Sequence, residues 1–390
     1  MSDKIADLTR PMSTPTTMRP LLFCLTALIL HSCAPSSTGT DTAQSLEQEL
    51  TGTPFLVGTY DDPGVHQPGI YRFVLEADGS LTNAGRVAEA SNPSFLAYDS
   101  DRSTLVAVEQ LNDEDGRVVS FGVDGDSLIL RNRQTAGGRG PCHVNVNQAG
   151  YVTVANYTAG SIELLQLNGE GRLSEPLDLQ DHRQRGGEEP HAHSSYYING
   201  DQEVLAVDLG TDEVWHYRID NRTKKLTPAA PPAVAMQEGA GPRHLTIHPN
   251  EKWIYVINEL NSTVTQVSRE EGGLTVVDSW STLPEDFTGE SFCADIHVSR
   301  DGRFVYGSNR GHNSIVVFSV DQESGALTPL EYESVAGDWP RNFALSPAED
   351  YLLVANQRSK NITTLSRNKE TGMLDYVSST SAPIPVCILF

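Results

Sequence analysis

The chain of 390 residues carries 28 lysine and arginine residues against 51 aspartate and glutamate residues, a formal net charge of −23. This acidic balance argues against a nucleic-acid or anionic-membrane surface and favours solubility. The length exceeds that of a typical single domain, unless the chain forms a barrel or a repeat array.

The N-terminal segment is typical of a bacterial secretory signal. A basic residue, Arg19, follows Met18, and an apolar run of about ten residues leads towards Cys33. A run this short fits a secretory signal better than a membrane span, which needs about 20 apolar residues. We predict a leader over residues 1–33, with Met18 as the candidate start, and a polar linker over 34–53.

Cys33 is the predicted lipidation site. It ends the stretch "LHSC", which resembles a bacterial lipobox except for His31, where a small residue is usual. These features predict a protein of the cell envelope, either periplasmic or anchored to the membrane through lipid on Cys33. A cytoplasmic protein with an apolar leader is the alternative.

Three cysteines remain in the body of the chain: Cys142, Cys293 and Cys387. They show neither CxxC spacing nor a histidine-flanked zinc pattern, and their odd number and wide scatter make a poor disulfide framework. We predict that they are small buried apolar side chains.

A repeated unit occupies the body of the chain. In each unit an anchor residue begins an apolar strand, and a turn connects this strand to a second one. The anchors, 47 to 52 residues apart, are Pro93, Pro141, Pro190, Pro242, Cys293 and Pro340. Each unit adds a third strand and a glycine-containing turn into a fourth. Four short alternating strands per unit of about 40–50 residues are the signature of β-propeller blades.

The number of units predicts an all-β fold, a seven-bladed β-propeller over residues 54–390. The first strand, "PFLVGTY" at 54–60, matches the second strand of a unit. The strand that should precede it stands at the far end of the chain, "PVCILF" at 385–390. Pairing of the two would close the ring and remove the exposed edges of an open array.

Polar residues occupy positions where a purely structural propeller would place small or apolar ones. They stand within three residues of an anchor or at the end of a second strand: His143, His191, His193, Asp208, Arg243, His244, Glu259, Arg310 and Arg341. His191 and His193 fall on the same side of a strand. Because the residue types differ between neighbouring blades, we interpret them as a site.

Each candidate also has a structural interpretation. A single histidine is often a buried hydrogen-bonding group, an arginine can brace two blades, and Asp208 can form a turn. His191 and His193 could also bind a metal as a pair, but no third ligand follows at a diagnostic spacing. No glycine-rich phosphate loop, catalytic serine or cysteine motif, or nucleotide fingerprint occurs, so we expect neither a metal nor another cofactor.

Four stretches carry a family resemblance: "FLVGTY…GIYRF", "GPRHLTIHP…YVINELNSTV", "HVSRDGRFVYGSNRGHNSI" and the terminal "PVCILF". They resemble the seven-bladed β-propeller lactonase family, which contains propeller-type 6-phosphogluconolactonases of bacteria and carboxy-muconate lactonising enzymes of fungi. The resemblance covers residues 54–390. It implies that His193 in "PHAHS", Arg243 in "GPRH", Glu259 in "INEL" and Arg310 in "SNRGHNS" are catalytic.

Lactone hydrolysis would use these residue types in distinct roles. Glu259 or His193 could accept a proton from water as the general base. Arg243 could stabilise the negative charge on the carbonyl oxygen, and Arg310 could bind a substrate carboxylate or phosphate through its planar fork of donors. The remaining five candidates would bind substrate. The sequence does not decide whether His191 or His193 is the catalytic histidine.

The expected function is therefore hydrolysis of a small-molecule sugar lactone, as in a 6-phosphogluconolactonase. Export would favour an unphosphorylated lactone, because phosphogluconolactone is not expected outside the cytoplasm. Two alternatives remain: a muconate-type lactonising cycloisomerase, which runs the reverse chemistry, and a non-catalytic binding propeller tethered to the envelope.

Overall fold

The computed structural model describes residues 52–62, 68–111, 114–185 and 189–390. The predicted leader 1–33, including Cys33, and most of the linker 34–53 lie outside the described residues. Within the described part of the chain, no helix is long and apolar enough to cross a membrane.

The described residues form 28 β-strands and one short 3-10 helix. The first fourteen strands are β1 (Thr53–Thr59), β2 (Ile70–Leu75), β3 (Leu81–Ala88), β4 (Leu96–Tyr98), β5 (Thr104–Glu109), β6 (Arg117–Asp124), β7 (Ser127–Thr135), β8 (Pro141–Val146), β9 (Tyr151–Asn156), β10 (Ser161–Gln166), β11 (Asp178–Asp181), β12 (Ala192–Ile198), β13 (Glu203–Asp208) and β14 (Glu213–Asp220). The 3-10 helix covers His182–Arg185.

The second half of the chain continues with fourteen further strands. They are β15 (Lys225–Ala235), β16 (Pro242–Ile247), β17 (Trp253–Asn258), β18 (Thr263–Glu270), β19 (Gly273–Ser281), β20 (Phe292–Val298), β21 (Phe304–Arg310), β22 (Ser314–Val320), β23 (Leu327–Ser334), β24 (Pro340–Leu345), β25 (Tyr351–Asn356), β26 (Asn361–Arg367), β27 (Leu374–Ser381) and β28 (Pro385–Leu389).

These strands build seven four-stranded sheets, which are the blades of a propeller. Blades 1 to 6 contain β4–β7, β8–β11, β12–β15, β16–β19, β20–β23 and β24–β27, and blade 7 has the order β28-β1-β2-β3. In blade 7, Gly58 of β1 lies opposite Cys387 of β28, and the Tyr60 N–H donates to the Ile384 carbonyl at 3.0 Å. The predicted seven-bladed fold and its closure by the two chain ends are confirmed.

Apolar side chains fill the space between neighbouring blades. Between blades 3 and 4, for example, Val207 and Val214 pack with Val256 and Val267. Second strands such as β5 are buried along their whole length because both of their faces are covered. Cys142, Cys293 and Cys387 are buried free thiols, as predicted. Cys293 and Cys387 belong to the apolar layers, whereas Cys142 Sγ contacts the carbonyl oxygen of His193 at 3.3 Å.

The innermost strand of each blade lines a central channel. At the upper mouth of the channel the innermost strands begin and the second strands end. At the lower mouth a cavity of about 520 Å³ receives side chains from all seven innermost strands: Leu96, Val144, Tyr196, Leu245, Ile296, Phe343 and Ile388. We call it the lower cavity. The channel thus has two ends that differ: the upper mouth, and the lower cavity.

Several innermost strands carry a β-bulge one residue after the anchor. In β16, Pro242 pairs with Asn258 and His244 with Ile257, which leaves Arg243 unpaired. The same irregularity leaves Cys142 unpaired in β8 and Arg341 in β24. A bulge re-aims the side chain of its extra residue, so the same strand can send one polar side chain to the channel mouth.

In blade 3 the predicted register is wrong by two residues. Ala192, not Pro190, occupies the anchor position opposite Asp208, and the bulged residue is His193. His193 is therefore the counterpart of Arg243 and Arg341, whereas the predicted anchor Pro190 would place His191 at this position.

Candidate active site

Glu259 lies between two arginines at the upper mouth. Its Oε2 is 3.0 Å from Arg243 Nε and 2.7 Å from Arg310 Nη2. The Glu259 N–H donates to the Gly241 carbonyl at 2.7 Å, so the turns on either side of β16 and β17 are joined. Gly241 has φ +63°, and a Cβ there would meet the Leu260 side chain at 2.5 Å. This tight turn holds the carboxylate beside Arg243.

Protein contacts fix both arginines and leave part of each guanidinium unused. Arg243 Nη1 donates to the Ala294 carbonyl at 2.5 Å and lies 3.5 Å from His244 Nε2. Arg310 donates from Nε to the Phe292 carbonyl oxygen and from Nη2 to the Cys293 carbonyl oxygen. Among the described residues, Arg243 Nη2 and Arg310 Nη1 have no partner. These N–H groups are available to a ligand.

Arg341 completes the group that we call the arginine cluster, which consists of Arg243, Glu259, Arg310 and Arg341. Its guanidinium carbon lies 5.5 Å from the ring centre of Tyr60, and it makes no hydrogen bond or ion pair with a described residue. Three guanidinium groups against one carboxylate leave two uncompensated positive charges in a chain of net charge −23. The cluster is suited to bind an anion.

Charge and burial act in opposite directions on Glu259. Burial raises its pKa, but the guanidinium groups of Arg310 and Arg243 outweigh burial, and the net pKa lies below the ordinary value. Glu259 is therefore ionised at neutral pH. Because both ion pairs use Oε2, and the side chain is 18 % exposed, Oε1 can accept a proton from a water molecule.

His193 is a neutral imidazole beside the cluster. Burial, and then the positive charge of Arg243, lower its pKa well below the ordinary value. Its ring lies 5.1 Å from His244 and 5.7 Å from Tyr157, and its Nδ1 is buried without a hydrogen-bond partner. An unprotonated imidazole with an unused nitrogen can act as a hydrogen-bond partner or base for a ligand.

His191 lies further out than His193. Its ring stacks on Tyr157 at 4.5 Å, and its Nδ1 is 3.1 Å from the Tyr157 carbonyl oxygen. Tyr157 itself is a neutral phenol, because burial and then the charge of Glu259 raise its pKa to about 12. The geometry favours His193 as the histidine that adjoins the arginine cluster, with His191 at the rim.

His143 and His244 lie below the arginine cluster and line the lower cavity. Their rings are 5.6 Å apart, and His244 Nδ1 contacts Asp295 Oδ1 at 2.8 Å. Burial lowers the pKa of both imidazoles, in the case of His244 to about 4. The structure thus places these two predicted substrate-binding residues between the arginine cluster and the lower cavity.

Asp208 does not reach the cluster, which corrects its predicted role in substrate binding. Its Oδ1 accepts hydrogen bonds from three backbone N–H groups, those of His191, Gly210 and Thr211. Its Oδ2 is 2.5 Å from Nδ1 of His182, which is equally buried. The carboxylate is fully occupied in fastening the loop before β12.

Trp339 is a site residue that the sequence interpretation missed. It precedes the anchor Pro340, at a position where glycine stands in blades 2 and 4, and it has φ +67°. Its ring lies 5.2 Å from the guanidinium carbon of Arg310 and 3.3 Å from that of Arg358. Backbone strain of this kind tends to persist at functional sites. A tryptophan at a glycine position was the available signal.

The described residues contain no group of three or more histidine, cysteine, aspartate or glutamate side chains arranged to hold a metal ion. The metal pair considered for His191 and His193 therefore gains no third ligand from this part of the chain.

Comparison with known proteins identifies the class to which this fold and site belong. The family described as "Lactonase, 7-bladed beta-propeller" matches residues 54–390, and the chain belongs to this family. It is thus an enzyme of the lactone-hydrolysing class, similar to the 6-phosphogluconolactonases.

Individual relatives agree with this assignment. A 6-phosphogluconolactonase of Bacillus subtilis (strain 168) is 37 % identical over 345 residues, which is 86 % of this chain and 97 % of the relative. The solved structure of a periplasmic gluconolactonase of Pseudomonas aeruginosa has a TM-score of 0.80 and 31 % identity, and covers 86 % of this chain and 98 % of its own. A putative 6-phosphogluconolactonase of Bacteroides fragilis has a TM-score of 0.78 and 30 % identity, with 86 % and 96 % covered.

Proposed function

We propose that this lactonase hydrolyses a sugar lactone at the arginine cluster. The observation that carries the proposal is a partly exposed carboxylate, whose two ion pairs both use Oε2, next to guanidinium N–H groups that no described residue occupies. A base and fixed cations next to each other match the needs of ester hydrolysis.

In the proposed mechanism, Glu259 Oε1 accepts a proton from a water molecule as the water oxygen attacks the lactone carbonyl carbon. Negative charge then collects on the carbonyl oxygen, where Arg243 Nη2 stabilises it. The C–O bond of the ring breaks, and the ring oxygen takes the proton from Glu259. The product is the open hydroxy acid, which releases one proton to solvent at neutral pH. Neutral His193 would hold the water or the ring oxygen by hydrogen bonding.

We propose that Arg310 and Arg341 bind an anionic or strongly polar substituent of the lactone. The two uncompensated positive charges support a carboxylate or phosphate. The predicted export signal supports an unphosphorylated sugar lactone, and the relatives bear names of both kinds, 6-phosphogluconolactonase and periplasmic gluconolactonase. Direct comparison of glucono-δ-lactone with 6-phosphogluconolactone separates the two.

The test is a pH-stat assay of proton release with both lactones, with the uncatalysed rate subtracted and with and without a chelator. Turnover that resists the chelator and is lost in Arg243→Ala is expected, and the two kcat/KM values rank the substrates. If the folded protein gives no rate above background with either lactone, the proposal is wrong, and cycloisomerase and binding assays become the next experiments.

We also propose that the protein is exported and lipidated on Cys33. The Arg19 n-region, the short apolar run and the lipobox-like stretch support this proposal, as does the periplasmic relative. Labelled palmitate should enter the membrane-associated wild-type protein in a bacterial host and should be absent from Cys33→Ser. Equal labelling of both, or recovery of both from the cytoplasm, would contradict the proposal.

A further inference from the structure

Asp295 is a buried carboxylate that the proposed mechanism does not use, although it lies next to the site. It stands in β20 of blade 5, two residues after the anchor Cys293, and is 3 % exposed. Its Oδ1 faces two donors, His244 Nδ1 at 2.8 Å and the Ile296 N–H at 3.0 Å. The carboxylate also lines the lower cavity.

Three more groups surround the second oxygen of Asp295. Oδ2 accepts from Asn342 Nδ2 at 2.6 Å and from the Phe343 N–H at 3.2 Å, and it lies 3.2 Å from His297 Nε2. One side chain therefore joins the innermost strands of blades 4, 5 and 6. With five groups around its two oxygens, Asp295 has to act as an acceptor at both of them. Only the ionised carboxylate does so, because a protonated carboxyl group would place an O–H donor among these contacts.

The contact with Asp295 decides which nitrogen of His244 carries the proton. Because the carboxylate can only accept, the proton of the neutral imidazole is on Nδ1, and Nε2 presents a lone pair. This lone pair faces Arg243 Nη1 at 3.5 Å. Arg243 Nη1 is therefore held by two acceptors, His244 Nε2 and the Ala294 carbonyl, and Nη2 is left to face the substrate.

We infer that Asp295 is a positioning residue for lactone hydrolysis: it fixes the tautomer of His244, and His244 in turn orients the guanidinium of Arg243 towards the developing oxyanion. The inference rests on the proposed function, because it assigns a second tier of residues to the same site. Asp295 touches no substrate in this arrangement and acts entirely through His244.

Asp295→Asn is the primary test. Three donors meet at Oδ2, so the asparagine oxygen should remain there and the amide nitrogen should replace Oδ1, where it faces both His244 Nδ1 and the Ile296 N–H. The imidazole proton must then move to Nε2, where it opposes the N–H of Arg243 Nη1. We expect kcat to fall by roughly 10- to 100-fold, the usual effect of losing a partner that orients a catalytic group, with KM changed much less.

A second variant uses the lower cavity. Asp295→Ala would leave a gap in the cavity wall, and formate could enter it from the lower mouth without passing the substrate. Formate should then restore part of the lost kcat in Asp295→Ala, while chloride at equal ionic strength should not. Wild-type protein titrated with formate corrects for competition at the arginine cluster.

Glu203→Gln is the matched control. Glu203 is a buried carboxylate that also contacts a histidine, His216 Nε2 at 3.0 Å, but it lies at the start of β13 and makes no contact with the cluster. Its replacement should change stability and leave kcat as in the wild type. An equal loss of kcat in both variants would show a general effect of instability and would overturn the inference.

A measurement independent of turnover separates this inference from the proposed function. In ¹⁵N-labelled protein, His244 should show the Nδ1–H tautomer in the wild type and lose it in Asp295→Asn. If the wild type hydrolyses neither lactone but the tautomer changes, the proposed function fails and the structural link stands. If the wild type is active and Asp295→Asn keeps both the tautomer and kcat, the inference is wrong.

Discussion

Replacement of Glu259 by glutamine gives the sharpest test of the proposed chemistry. The change keeps the size of the side chain but removes the charge that lies 3.0 Å from Arg243 and 2.7 Å from Arg310. It also removes the proposed proton acceptor. A positioned general base contributes about 10²- to 10⁴-fold in rate, so kcat should fall by a factor in this range, or about 3–5 kcal/mol in the barrier.

The same replacement has a second, separate effect on folding. Loss of one partner of a buried ion pair costs about 3–5 kcal/mol, and we expect less than this, about 2–3 kcal/mol, because glutamine still offers one acceptor oxygen and the site is partly open. Product inhibition should not weaken, because the cluster becomes more positive by one charge. The free energy of unfolding from denaturant titration and the inhibition constant of the open hydroxy acid measure these two effects.

The wild-type pH profile adds a third measurement. Since Arg310 and Arg243 lower the pKa of Glu259 despite its burial, the base stays ionised, and turnover should persist, below the ordinary pKa of a glutamate. The assay measures the rate of proton release as a function of pH. Glu203→Gln is the control and should give the same pH profile as the wild type. A Glu259→Gln enzyme with kcat within about threefold of the wild type would refute the assignment, because a threefold loss is far smaller than the rate that a general base contributes. His193 would then be the remaining candidate.

Three further predictions concern other parts of the molecule. Arg341→Ala should raise KM for the anionic lactone by roughly 10-fold and leave kcat nearly unchanged, because it removes a binding contact only; an equal change for both lactones in steady-state assays would contradict this. Burial, and then Asp178, raise the pKa of Glu163 from 4.5 to about 8. The folded state thus keeps a proton that the unfolded state releases between these two pKa values. The free energy of unfolding should therefore fall by up to about 5 kcal/mol as the pH rises from 4.5 to about 8. Glu163→Gln should abolish this fall. If the wild type and Glu163→Gln show the same change in melting temperature between pH 5 and pH 8, the prediction is wrong. Deletion of residues 385–390 should expose the edge of β1 and cause association in size-exclusion chromatography, whereas a monomer with an unchanged melting temperature would show that closure is dispensable.

The fold could be predicted from the sequence because the propeller repeats its pattern. Each anchor and strand pair is a weak signal, but six successive units at similar spacing reinforce one another, and the lone first strand "PFLVGTY" had its complement in "PVCILF". Closure follows from the cost of two free strand edges, which does not depend on side-chain detail.

The site was less predictable because side-chain direction depends on the β-bulge, which a linear alignment does not show. In blade 3 two extra residues move the anchor to Ala192, so spacing alone matched His191 with Arg243. The role of Asp208 was hidden for a similar reason: its partner His182 comes from a short 3-10 helix 26 residues earlier in the chain. Contacts between distant turns decide whether a polar residue binds a ligand or another turn.

The direction of β1 has a practical consequence for any attachment at the N-terminus. This strand begins at Thr53 and ends at Thr59, next to Tyr60, whose ring contacts Arg341 at the upper mouth. Thr53 therefore lies at the opposite end of the blade, on the side of the lower cavity. A lipid, a bead or a fusion partner joined ahead of Thr53 would attach to the propeller on the side opposite the substrate entrance. The kinetic constants of the immobilised enzyme should therefore stay close to those in solution.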